Sequence, residues 1–104
     1  MQIQQGDVTL EKISKLPSGA KFKDKTHRGY VLAEGEVTGH AHCIEDTEKA
    51  EFYEVAGVLF VKANKPVSLT HEEHNTITIP EGIWKIGQVY EYDHFLDMER
   101  VVRD

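Results

Sequence analysis

Two histidine pairs are the residues of this chain whose types and spacing can do chemistry. The first lies in Thr38-Gly39-His40-Ala41-His42. On a β-strand, residues two apart point to the same face, so His40 and His42 present two imidazoles side by side. The second lies in Leu69-Thr70-His71-Glu72-Glu73-His74. A tight turn over 71–74, or one helical turn, makes His71 and His74 neighbours. Imidazole suits Zn, Fe, Cu and Ni. His40, His42, His71 and His74 are therefore candidate ligands of one transition-metal ion, and three protein ligands plus a water is the usual open arrangement of a catalytic site. The other two of the six histidines, His27 and His94, are isolated and read as incidental.

Carboxylates stand beside both pairs. Glu34 and Glu36 precede the first, and Glu72 and Glu73 lie inside the second. A carboxylate can ligate a metal, orient a ligand histidine, or accept a proton from metal-bound water. Glu72 and Glu73, between two candidate ligands, are the candidate catalytic groups. Glu36, Gln88 and Tyr92 are candidate pocket residues. Gln88 stands on a strand face that is otherwise apolar and aromatic, where it either satisfies backbone or orients a ligand. Cys43 follows His42, so alternation points it away from the two histidines as a small buried residue. The spacing is not that of the zincin helix, and one cysteine cannot build a zinc finger. No Ser-His-Asp arrangement, phosphate-cradling loop or dinucleotide fingerprint is visible.

The elements that must position these groups read as nearly all β. Asp7–Ile13 alternates polar and apolar, and Gly29–Ala33 is a short apolar run. His40–Ile44 reads as a strand. Glu51–Val55 and Val58–Ala63 flank Ala56-Gly57; a two-residue loop there sets Tyr53 opposite Phe60 and Glu51 opposite Lys62. Ala56 fits poorly the positive φ of a type I′ turn, which argues for a longer loop. Val67–Thr70 and Thr76–Ile79 are short strands around the second histidine pair. A symmetric hairpin there gives no clean apolar face, so the spacing calls for a bulge or another partner. Pro80-Glu81-Gly82 suits a type I turn, and Ile83–Tyr92 reads as one long strand. Lys21–Arg28 is a basic loop or edge strand, and Asp93–Asp104 a helical turn or last strand. Many short strands between Gly and Pro turns predict one small all-β domain over 1–104: a barrel, roll or sandwich.

With 104 residues, 39% hydrophobic and 29% charged, the chain is the size and composition of one globular domain able to fold without a metal staple. The net charge of −6 argues against a nucleic-acid partner. No apolar run is long enough to span a membrane. A single Cys and a start without leader character set the expectation of a reducing cytoplasmic location. Exposed strand edges suggest a homo-oligomer.

The His-x-His strand, the Glu-rich stretch after it and the later Pro-x-Gly turn resemble the cupin superfamily. Gly35, His40, His42, Glu48 or Glu51, and Gly57 follow the order of the first cupin motif, at other spacings. Ile79-Pro80-Glu81-Gly82-Ile83-Trp84 is similar to the second. The chain departs where cupins place their last metal histidine, which here is Lys85, and the expected Asn is missing; His71 or His74 would have to replace that ligand. The resemblance implies a cupin-like β-barrel, with oxygen chemistry if the metal is Fe or Mn. Residues 33–42, 69–74 and 88–92 together are also similar to short phage and bacterial proteins, which implies little about chemistry.

The reading is a metal-binding protein with Zn as the first expectation and Fe or Mn next. It would activate water on a small-molecule substrate, as a hydratase, a carbonic-anhydrase-like enzyme or a hydrolase. The alternative is a non-enzymatic metal- or ligand-binding module, or a phage accessory protein, with a structural metal or a histidine-mediated oligomer contact. A third reading is an oligomer whose clustered histidines respond to pH.

Overall fold

The structure, a computed structural model, describes residues 1–35, 39–93 and 98–101; for 90–93 and 98–101 it describes the backbone alone. The strands are β1 (Gln2–Gln5), β2 (Val8–Ile13), β3 (Lys21–Lys23), β4 (Tyr30–Glu34), β5 (Ala41–Ile44) and β6 (Ala50–Val55). They continue as β7 (Val58–Ala63), β8 (Val67–Thr70), β9 (Ile77–Ile79), β10 (Gly82–Gln88), β11 (Tyr90–Asp93) and β12 (Met98–Val101). A six-stranded sheet runs β1-β2-β10-β7-β6-β3, a four-stranded sheet runs β4-β5-β8-β9, and β11-β12 form a separate pair. All pairs are antiparallel, and neither large sheet closes into a barrel. The domain is an all-β sandwich. Val8, Leu10, Phe52, Val61 and Trp84 from the larger sheet share one buried core with Tyr30, Leu32, Ile44, Leu69 and Ile79 from the smaller. The Tyr30 and Phe52 rings meet across it with centroids 4.9 Å apart. No helix among the described residues is long and apolar enough to cross a membrane.

The β6–β7 hairpin has the expected pairs, Tyr53 with Phe60 and Glu51 with Lys62. Its loop is two residues after all. Ala56 takes φ +52 and Gly57 φ +78, so Ala56 accepts the left-handed conformation that alanine disfavours. The β8–β9 register also differs from a symmetric hairpin. Val67 pairs with Ile79 and Leu69 with Ile77. A longer connection, 71–76, absorbs the mismatch and places apolar against apolar. The long strand expected over 83–92 is broken. β10 ends at Gln88, and Val89 turns its N–H to the Asp7 carbonyl at 2.8 Å. The tail contains a strand, β12. A strand not expected from the sequence, β1, opens the chain, and Gly6 at φ +56 turns it into β2.

The pairing of β5 with β8 builds the site. Cys43 lies opposite Thr70 and Ile44 opposite Leu69. Because the two strands run antiparallel, the segment entering β5, which carries His40, lies alongside the loop leaving β8, which carries His71–His74. The backbone N–H of Gly35 donates to the His40 carbonyl at 2.8 Å and fixes the entry to β5.

Candidate functional site

The four paired histidines come together at one end of the smaller sheet. His71 is central. Its ring centroid lies 4.4 Å from that of His42, 4.7 Å from His74 and 5.8 Å from His40. His42 and His74 stack at 6.0 Å. His42 is fully buried, His71 nearly so, and His40 and His74 lie nearer the surface.

Hydrogen bonding divides the four. His42 Nδ1 lies 2.8 Å from Gln5 Oε1, and His42 Nε2 lies 3.1 Å from Asp7 Oδ1. The Gln5 amide is oriented by its own nitrogen, which donates to the carbonyls of Leu69 and Asn75 at 2.9 Å each. Its oxygen must therefore accept, so Nδ1 of His42 carries a proton. On the other side one proton lies between Nε2 and Asp7, whichever atom holds it. Asp7 is itself fixed by Gln88, whose amide donates to Oδ2 at 2.9 Å. Both ring nitrogens of His42 thus face oxygen partners. The strand spacing expects His40 and His42 as one ligand pair; in the structure both His42 nitrogens face Gln5 and Asp7, while His40 lies with His71 and Glu72. Gln88 does orient a group, but that group is Asp7.

His71 Nδ1 accepts backbone N–H groups of Glu73 at 3.0 Å and His74 at 3.4 Å, which folds the 71–74 turn around its own ring. Two other ring nitrogens, His40 Nδ1 and His74 Nε2, are buried without a hydrogen-bond partner. Glu73 Oε1 lies 3.5 Å from His40 Nδ1, an ion-pair distance but too long for a good hydrogen bond.

Glu72 is anchored. Oε1 accepts the Ala41 N–H at 2.9 Å, and Oε2 accepts from Arg28 Nη2, also at 2.9 Å. The same Arg28 nitrogen donates to the Gly39 carbonyl at 2.9 Å. The Ala41 amide first, then the backbone N–H of Glu72 itself and the Arg28 charge, hold the Glu72 carboxyl below its usual pKa. A carboxylate stabilised in its charged form is a weak proton acceptor. Glu72, expected as a catalytic group, holds the Ala41 amide and the Arg28 guanidinium in this structure. Glu73, exposed and aimed at His40, keeps the geometry of a base or an orienting group. Glu36 lies outside the described residues, as does the side chain of Tyr92.

One ligand atom each from His40, His71 and Glu72 lie within 4.8 Å of one another. Beside them opens a cleft of about 440 Å³, lined by His27, Arg28, Ala41, Cys43, Glu45, Thr70, His71 and Glu72. Burial pushes the Cys43 thiol pKa up, so it stays protonated and unreactive. Sequence reasoning missed Gln5, Asp7 and Arg28. For the first two, the signal was the Gly6-Asp7 pair, a two-residue hairpin signature in a polar stretch. Arg28 carried no local signal.

No curated protein and no solved structure matches the chain. A match does cover residues 4–88, which contain every described member of the histidine cluster and its Gln5–Asp7–Gln88 support; by it the chain belongs to the family described as Domain of unknown function (DUF8820).

Proposed function

We propose that this protein binds one divalent transition-metal ion through His40, His71 and Glu72 and uses it to activate water on a small substrate. The observation that carries the reading is the convergence of those three ligand atoms within 4.8 Å. Two imidazoles and a carboxylate suit Zn, and also Fe or Mn. Zn–N bonds of about 2.0–2.1 Å in a tetrahedron place ligand atoms about 3.3 Å apart, so binding draws the site inward. His71 must either release the two N–H groups at Nδ1 or lose a proton at Nε2, which couples binding to the 71–74 turn.

A divalent ion with open positions acidifies bound water and polarises a carbonyl. The cleft beside His71 and Glu72 would give a small substrate access, and Glu73 would take the proton. The His42 ring, itself held by Gln5 and Asp7, packs against the His71 ring. A cytoplasmic setting belongs to the same reading, supported by the single buried thiol.

The test is metal content of protein purified without a histidine tag, followed by hydrolysis of an activated ester by the metal-loaded protein. One equivalent of metal is expected, lost in His40→Ala and in Glu72→Gln but retained in His27→Ala. Metal-free protein with no affinity for Zn, Fe or Mn overturns the reading. Stoichiometric metal without turnover removes the catalytic half and leaves a metal-binding module.

A further inference from the structure

We propose that the free edge of β3 is a docking site for an extended acidic polypeptide segment, which adds to the six-stranded sheet as a further strand. Among the described residues, β3 ends that sheet and pairs only with β6. All three of its residues are exposed. Phe22 is 60% exposed, the more exposed of two large internal apolar side chains on the described surface, the other being Val89. It is held in place by an edge-to-face contact with Tyr53, centroids 6.0 Å apart. A surface groove of about 490 Å³ runs along Lys21, Phe22 and Lys23 to the β6–β7 turn.

Charge selects the occupant. Lys21, Lys23 and Lys25 stand against Asp24 in the same segment and Glu54 on β6, which lies 3.9 Å from Lys23, so this edge keeps a net positive charge although the chain as a whole carries −6. Lysines on an edge strand oppose self-pairing. A second copy joined antiparallel at β3 would set lysine against lysine, which is unfavourable for directly opposite residues. An acidic strand meets the reverse: its carboxylates face Lys21 and Lys23, its backbone takes up the unpaired edge groups, and its intervening side chain lies on Phe22. That is strand addition, in which main-chain hydrogen bonds give affinity and alternate side chains give specificity. A nucleic-acid strand could use the lysines and Phe22, but not the edge of the ladder, and the net charge of the chain repels it.

The test is an NMR titration of amide signals with a capped eight-residue peptide alternating Glu and Thr, at low salt. The expected shifts are confined to residues 19–25 and 54–57 and weaken as salt rises. A version of the peptide methylated at alternate backbone nitrogens keeps the charge but cannot pair, and should bind about tenfold or more weakly. Phe22→Ala and the double variant Lys21→Glu/Lys23→Glu alter only exposed side chains and should each reduce binding while leaving the other signals in place. The proposal is overturned if shifts are absent or scattered. It is equally overturned if the methylated peptide binds as well as the parent, or if an oligo-dT strand binds the same residues more tightly.

Discussion

At the scale of single residues, the molecule separates four histidines that look alike in sequence. His42 has Gln5 and Asp7 at its two ring nitrogens, and nothing in a His-x-His spacing reveals this. The pairs themselves were legible, because a two-residue period and a short turn each bring two imidazoles together. Their roles were not, because Gln5 and Asp7 come from a hairpin more than thirty positions away, in a polar stretch without apolar periodicity. The buried contact predicts the cost of its removal. Asp7→Ala leaves the His42 ring nitrogen and the Gln88 amide without their shared partner, and should lower stability by about 3 kcal/mol, measured by urea unfolding. Glu72 gives a pH dependence of definite sign. Its folded-state pKa is depressed, so its stabilisation is fully present above the unfolded value and is lost as pH falls through the folded one. Unfolding measured from pH 7 downward should show wild type more stable than Glu72→Gln at neutral pH, with the difference shrinking as pH falls through the ordinary carboxylate range and vanishing below the depressed folded-state pKa.

At the scale of elements, most strands could be read from alternation, and the failures share a cause. Register depends on the partner strand, which a single segment does not contain. Thr76 fits a strand by composition, yet the pairing of Leu69 with Ile77 leaves it in the loop because apolar must face apolar across β8 and β9. The run 83–92 looks continuous, but the Asp7 carbonyl captures the Val89 N–H and ends β10 there. The two-residue loop at Ala56-Gly57 won over the poor fit of alanine, because the paired side chains of six residue positions on each strand outweigh one strained φ. That strain is recoverable. Ala56→Asn supplies the Asn-Gly pair favoured by type I′ turns and should stabilise the protein by about 0.5–1 kcal/mol, read as a shifted urea midpoint with unchanged slope.

At the scale of the whole molecule, the two sheets are joined by an apolar core and by a polar bridge. Gln5 and Asp7 of the larger sheet's first hairpin reach His42 and the carbonyls of Leu69 and Asn75 on the other side. The all-β class and the single domain were legible; that the sheets stay open, as a sandwich, depended on pairings between distant strands. The histidine cluster sits where β5 and β8 meet, so a ligand there should stabilise the domain as a unit. Zn at a hundredfold excess over its Kd should add about 2.7 kcal/mol, seen as a rise in Tm that chelator reverses without unfolding the protein. The most direct test of the metal site follows the imidazole nitrogens themselves, by long-range proton–nitrogen NMR during titration with Zn. The account predicts that at one equivalent the nitrogens of His40 and His71 shift, with the amides of Glu73 and His74, while both nitrogens of His42 stay where they were. No change at His40 and His71, or a change at His42 alone, would contradict it.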